Sequence, residues 1–218
     1  FMDQNRHGVW EPDDELTTAL ITCGMMLEKV SQERLWAEFK RILVGQHAPK
    51  ILEKMRIDGA LSRILPGWDA ELQSQFHLKT NEQDVVICRL VLLASDIPAE
   101  RWRVLDHDMR SLKIPNKERE RVLKLHRILG NLPHDLAECR RYRICVDEDV
   151  NAHLDIESAI NQRQAEASKA LLERSSRPKG GIEPMVDGHL LSSVSELPSG
   201  RRLGRLKEWL YRIQIDQN

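Results

Sequence analysis

The sequence predicts an all-α protein made of short helices, and three observations predict it. Aromatic residues are only 5% of the 218, against 41% hydrophobic and 31% charged; a chain rich in Leu, Ile, Ala, Glu, Arg and Lys favours helix over sheet. Apolar residues recur at helical spacing, and no stretch of any length alternates with a strict period of two. Gly, Pro and Ser gather between the periodic stretches, where helices start and stop. The length allows one large domain or two to three small ones with a real core, and no repeat has a fixed period.

The elements follow in order. FMDQNRHGVW, at the start, has no core pattern. EPDDELTTALITCGMMLEKV opens on acids and should turn Leu16, Leu20, Met25 or Met26 and Val30 inward. SQERLWAEFKRILVG, residues 31–45, has Ser31 as a side-chain N-cap and Glu33 in the first turn, where the helix dipole favours negative charge. Leu35, Phe39, Ile42 and Leu43 form its apolar stripe, and Gly45 stops it. APKILEKMRIDGALSRILPGW follows, with Ile51, Leu52, Met55 and Ile57 as apolar contacts. Gly59 breaks it and Pro66-Gly67 ends it. DAELQSQFHLKTN reads as a connector, then QDVVICRLVLLASDI as an apolar helix. AERWRVLDHDMRSLKI and KERERVLKLHRILGNL come next, the second with Val122, Leu125 and Leu129 on one side. LPHDLAECRRYRICVDEDV starts a new segment, and LDIESAINQRQAEASKALLERS reads as one long amphipathic helix. SSRPKGGIEP is a linker, VDGHLL a turn, and PSGRRLGRLKEWLYRIQI the final helix.

Several functions are disfavoured by what these segments contain. No apolar run is long enough to cross a bilayer, and no signal-peptide pattern opens the chain. Cys23, Cys88, Cys139 and Cys145 form no C-x-x-C pair and read as reduced, structural thiols of an intracellular protein, cytoplasmic or, in a eukaryote, organellar. Cys139, Cys145 and His134 fit no standard zinc frame. Asp106 with Asp108, and Asp147 with Asp149, have the close spacing of metal-binding carboxylates. Residues two apart on a helix diverge, however, and no glycine-rich cradle precedes either pair, so both read as surface acids. His107-Asp108 and His134-Asp135 lack the further ligands of a helical phosphohydrolase. Neither a P-loop, a Rossmann fingerprint nor a nucleophile elbow occurs. No catalytic or metal-ligating residue is expected.

Charge is uneven along the chain. Residues 174–218 carry eight basic and five acidic residues, a surplus of three, so the rest must be −4 to reach the net −1. On charge alone a solvated helix face is the preferred reading, with a polyanionic partner second. Pro198-Ser199-Gly200 reads as a helix start, with Pro in the first turn. Arg201, Arg202 and Arg205 follow on the first two turns, and Leu203, Leu206, Leu210 and Ile213 form the apolar seam. Such a start suits either a phosphate or a capped, salt-bridged surface helix. The stretch at 31–45 poses the same choice, because Arg34, Lys40 and Arg41 crowd its polar side.

Read together, these segments resemble a known family. Ser31, Glu33, Arg34, Leu35, Trp36, Glu38, Arg41, Ile42 and Leu43, then Gly59 and Ile64-Leu65-Pro66, follow the neck pattern of class II tRNA nucleotidyltransferases and the related poly(A) polymerases. RSLKIPNKERERVL resembles the family's body signature. MVDGHLL with LPSGRRLGRLKEWL resembles its tail. The matches run in order from about residue 11 to 213.

The resemblance implies a curved array of neck (1–72), body (73–150) and tail (151–218) modules, with a linker near 175–184. The catalytic head, which in this family precedes the neck and carries paired aspartates, has no counterpart here. This chain alone is therefore expected to transfer no nucleotide. Magnesium and CTP or ATP are expected only with the head. The implied role is tRNA binding for CCA addition at the tRNA 3′ end, with tRNA and the head of the same protein as partners and no membrane. Arg201, Arg202, Arg205 and Lys207 are the first candidates for phosphate contacts, with Lys179 in the linker assisting and Arg34, Lys40 and Arg41 weaker. Glu33 and Arg34 could equally bond to each other or to the head. The alternatives are the RNA-binding part of a poly(A) polymerase or of a CC- or A-adding enzyme, or a helical protein-interaction scaffold.

Overall fold

A computed structural model describes residues 12–68, 78, 82–175 and 184–216, and every regular element among them is helical. The α-helices are α1 (Asp14–Cys23), α2 (Gln32–Val44), α3 (Ala48–Ile57), α4 (Ala60–Ile64), α5 (Glu82–Leu93), α6 (Trp102–Ser111), α7 (Asn116–Arg127), α8 (Leu136–Val146), α9 (Val150–Ile160), α10 (Gln162–Arg174), α11 (Gly188–Ser195) and α12 (Arg201–Asp216). The all-α expectation holds for these residues. None of their helices is long and apolar enough to cross a membrane. The expected connector at 69–81 lies outside the described residues except for Leu78.

The helices form two compact units that do not follow chain order. The described residues up to Gly130 join Asn151–Asn161 in the first unit; Asn131–Val150 and everything from Gln162 onward make the second. The stretch at 154–175, expected as one helix, is therefore two. Asn161 donates its N–H to the Glu157 carbonyl at 2.7 Å, closing α9, and α10 begins at the next residue.

In the first unit the apolar stripes meet in one core. Phe39 and Leu43 of α2, Leu52 of α3, Leu90 of α5, Leu105 and Met109 of α6, Leu125 of α7 and Ile156 of α9 are fully buried there. Leu35 and Ile42 pack against its edge, so the expected stripe of the 31–45 helix is the core face. Ser31 does take the N-cap position, but its hydroxyl makes no capping bond. Its backbone carbonyl instead receives the N–H groups of Arg34 and Leu35, at 3.1 and 3.0 Å.

The first helix departs most from expectation. No residue of α1, nor of the 3₁₀ turn Gly24–Lys29 after it, is buried. Leu20 and one of Met25 and Met26 were expected inward, yet all three are exposed together with Ile21, Leu16 and Val30 are only half-buried, and Cys23 is exposed too. Ile57 is likewise exposed, at the end of α3. Helical spacing defines a stripe but not what covers it.

Short helices leave many unpaired carbonyls at their ends, and this chain covers them with donors from neighbouring helices. In the first unit the buried Arg89 of α5 donates from Nη1 to the Leu43 carbonyl and, at 2.9 Å, to that of Gly45, at the end of α2. His126 of α7 places Nε2 at 3.0 and 2.9 Å from the carbonyls of Ala94 and Ile97, just past α5. Both partners accept, so Nε2 carries the proton. In the second unit two arginines of α8 act alike. Arg143 donates to the Leu172 carbonyl at 2.6 Å, near the end of α10, and Arg140 donates to the carbonyls of Ile215 and Asp216 at 2.7 Å each, closing α12. A cation at a helix C-terminus also complements the dipole.

The Pro66-Gly67 stop is more than a stop. The Gly67 N–H donates to Asp108 Oδ2 of α6 at 2.6 Å. A Cβ on Gly67 would lie 2.2 Å from Val104 Cγ1 and 2.8 Å from Asp108 Oδ2. Only glycine lets this turn approach α6 so closely.

Candidate nucleic-acid interface

The charged residues sort into those tied to partners and those that are not. Helix α7 shows the first kind. Its Glu118 pairs with Lys40 of α2 at 2.7 Å, its Arg119 with Asp106 of α6 at 3.0 Å, and its Arg121 with Asp84 of α5 at 2.5 Å. The charges of KERERV thus bolt α7 to three neighbours while Val122 and Leu125 fill the core beneath.

This decides the state of two weaker candidates on α2. Lys40 pairs with Glu118 and lies over the Trp36 ring, 5.7 Å from its centroid. Arg41 reaches Glu38 of its own helix at 3.0 Å, an exposed pair of small worth. Arg34 is exposed and makes no ion pair with a described residue, Glu33 included. A double-mutant cycle with Lys40→Ala and Glu118→Ala, followed by urea unfolding, should give a coupling of about 0.5–1 kcal/mol. Coupling near zero would mean that the pair does not hold α2 to α7 in solution. On α3, the hydrogen bond and charge of Arg56 hold the Glu53 carboxyl below its usual range.

The carboxylate pairs expected on the surface are not both there. Asp106 and Asp108 are buried, and Asp149 is buried beside an exposed Asp147. Asp106 is gripped by Arg119 and, at 2.9 Å, by Arg110. Asp108 points elsewhere and accepts from Gly67. The divergence expected of residues two apart is real, but each acid serves a contact inside the fold rather than solvent. Residues already committed in this way do not fit a magnesium site for nucleotidyl transfer, which needs carboxylates converging on the cations. His107 is exposed while its neighbour Asp108 turns inward, so that dipeptide does not converge either. Among the described residues no three His, Cys, Asp or Glu side chains gather to hold a metal. Burial pushes the Cys139 thiol up, with Arg143 opposing it only in part; a thiol held neutral is a poor ligand and nucleophile.

Helix α12 shows the second kind. Arg201, Arg202 and Arg205 are exposed, and none makes an ion pair or side-chain hydrogen bond with a described residue. From Arg201 to Lys207 the helix has four basic residues and no acid. Lys207 is half-buried, and the seam residues Leu203, Leu206, Leu210 and Ile213 are half-buried as well. Glu208 then pairs with Arg212 at 2.9 Å. Pro198 lies before the helix rather than in its first turn. Gly200, at φ 154°, precedes Arg201, and its carbonyl accepts the Gly204 N–H at 3.0 Å. The Asp187-Gly188-His189 stretch, expected as a turn, is the start of α11, with Asp187 at its N-cap. Lys179 and most of the linker near 175–184 lie outside the described residues.

The structure therefore gathers Arg201, Arg202, Arg205 and Lys207 on one helix of the second unit and leaves three of them open. Arg34, Lys40 and Arg41 belong to the first unit, where Lys40 and Arg41 have partners. Trp209, absent from the sequence-based candidates, is 57% exposed on α12. Its spacing of four from Arg205 was the available signal.

Comparison with known proteins touches only the first of these regions. Residues 11–72 match the family model described as "Probable RNA and SrmB- binding site of polymerase A". The match takes in α1 to α4 and the Gly67 turn, and it supports an RNA-binding region of the polymerase A kind there. No curated protein and no solved structure matches the chain.

Proposed function

We propose that the chain is the RNA-binding portion of a CCA-adding tRNA nucleotidyltransferase, holding tRNA for a catalytic head. The observation that carries this reading is the contrast in charge use. Several arginines elsewhere, among them Arg119, Arg140 and Arg143, are spent on helix ends and carboxylates, whereas Arg201, Arg202 and Arg205 stand exposed together at the start of one helix without a described partner. Unneutralised arginines on consecutive turns suit phosphates spaced along an RNA backbone. An enzyme that must accept every tRNA needs to read shape and backbone rather than sequence, and A-form RNA is read in that way. The match at 11–72 supports RNA as the partner. The exposed Leu20, Ile21, Met25 and Met26 support a protein surface such as the head as the second partner. Magnesium and the nucleotide would belong to that head.

The experiment is tRNA binding measured against salt, for the wild type and for Arg201→Ala with Arg202→Ala. Each lost phosphate contact lowers the slope of log K against log salt by about one. The double variant should bind about tenfold more weakly, with its slope reduced by about two and its melting temperature unchanged. A fall in melting temperature instead would make the two arginines structural. No binding of the wild type at low salt would leave the protein-interaction scaffold.

The matched description favours a second reading, the RNA-binding part of a poly(A) polymerase. Competition between tRNA and poly(A) separates the two: displacement of tRNA by equimolar poly(A) selects the polymerase.

A further inference from the structure

We infer that Trp209 is a stacking platform for an exposed nucleobase, set within the arginine face of α12. The inference rests on the RNA-binding reading above and adds to it a contact with a base, where the arginines offer contacts with phosphate alone.

Tryptophan is the side chain with most to gain from burial, and here it forgoes it. Trp36 and Trp68 are 7% and 3% exposed, whereas Trp209 leaves 57% of its surface open. Its helix is not short of burial elsewhere, since Ile215 is buried and the seam residues Leu203, Leu206, Leu210 and Ile213 are half-covered, with Trp209 at the border between that seam and the arginines.

The neighbours of Trp209 fix the kind of surface it meets. Residues three, four and seven apart share a helix face. Arg205 is therefore one turn before Trp209, Arg202 two turns before and Arg212 one turn after. All three are exposed. Only Arg212 has an acidic partner among the described residues, Glu208, and that pair is itself solvent-exposed. An apolar protein partner would have to bury these arginines beside the indole, at a large desolvation cost. A folded RNA would not. Its phosphates neutralise the arginines while an unpaired base lies flat on the ring, the combination that nucleic-acid-binding grooves use. The platform is also held still: Arg140 grips the end of α12 through the Ile215 and Asp216 carbonyls, and Arg141 pairs with the Asp216 carboxylate at 2.8 Å.

The test compares wild type, Trp209→Ala and Trp209→Phe against folded tRNA and against a blunt, fully paired RNA duplex, by anisotropy at fixed salt. Trp209→Ala should bind tRNA about tenfold more weakly and the duplex within twofold of wild type. Trp209→Phe, which keeps an aromatic face, should restore most of the tRNA affinity. tRNA should also quench the tryptophan emission of the wild type more than that of Trp209→Phe. Because Trp209 is exposed, melting temperature should not move in either variant. Equal tRNA affinity in wild type and Trp209→Ala overturns the stacking role. So does a matching loss on tRNA and duplex, or failure of Trp209→Phe to rescue. Those results leave the RNA-binding reading intact, whereas absence of tRNA binding by the wild type overturns both.

Discussion

Gly67→Ala is expected to destabilise the first unit by about 3–5 kcal/mol, lowering its melting temperature by roughly 6–20 °C. The new methyl would be set 2.2 Å from Val104 Cγ1, far inside contact distance, and 2.8 Å from the Asp108 carboxylate that accepts the Gly67 N–H. Either the turn lifts from α6 or α6 moves. Overpacking of a tight site costs about 1–3 kcal/mol, and losing a hydrogen bond to a charged acceptor adds about 1.5–3. Two further variants divide the effect. Asp108→Ala leaves the Gly67 N–H without its acceptor and should cost about 2 kcal/mol, and Asp108→Asn, which can still accept, much less. Val104→Ala removes the nearer clash, so combining it with Gly67→Ala should be less harmful than the sum of the two. Thermal melts that show Gly67→Ala within 2 °C of wild type would mean that this turn does not rest on α6.

Arg89→Met should cost about 3–4 kcal/mol in urea unfolding, by a different mechanism. The guanidinium of Arg89 enters the core from α5 and closes the end of α2 through two carbonyls, Leu43 and Gly45. Methionine roughly fills the space of the stem but takes the charged donor from the buried Leu43 carbonyl, at about 1–3 kcal/mol, and from the part-buried Gly45 carbonyl, which keeps only the Ala48 N–H at 3.3 Å. Arg89→Lys should recover little, because an ammonium lacks the rigid fork that spans two acceptors and is costlier to bury. A lysine variant as stable as wild type would show that a single point charge at the end of α2 suffices. The functional consequence follows from position. Arg89 sets the end of the helix that carries Arg34, Lys40 and Arg41, inside the segment matched by the family model; if that helix contacts RNA as proposed, Arg89→Met should weaken the binding along with the stability.

Helix positions were readable to within a few residues because their signals are local. Gly45 ends α2 and Gly59 separates α3 from α4, where the breakers stand in the sequence. Asp135 with Glu138 caps α8 reciprocally: Asp135 accepts the Glu138 N–H at 2.7 Å, and Glu138 accepts the His134 N–H at 2.8 Å. That capping box stood in plain view as H-D-x-x-E. The break at Asn161 was missed because apolar spacing runs through it, and only the packing of α9 into the first core shows that the chain turns there. The exposed face of α1 was misread for the converse reason. An amphipathic stripe calls for a partner, and none of the described helices buries it.

By itself, the sequence determined the helical class, most helix ends and the basic run at the start of α12, because each depends on residues within a turn or two of one another. Tertiary structure decided which charges remain available. Lys40 finds Glu118 at a separation of 78 residues, Arg89 reaches Leu43 across 46, and Arg140 closes α12 across 75. No local pattern encodes such pairings, since a charge has no periodicity that names its partner. The same distance dependence made Asp106 and Asp108 look like surface acids until α7 and the Gly67 turn folded over them. Arg201, Arg202 and Arg205 remain open to solvent because no acid among the described residues is brought against them, and that is a property of the fold.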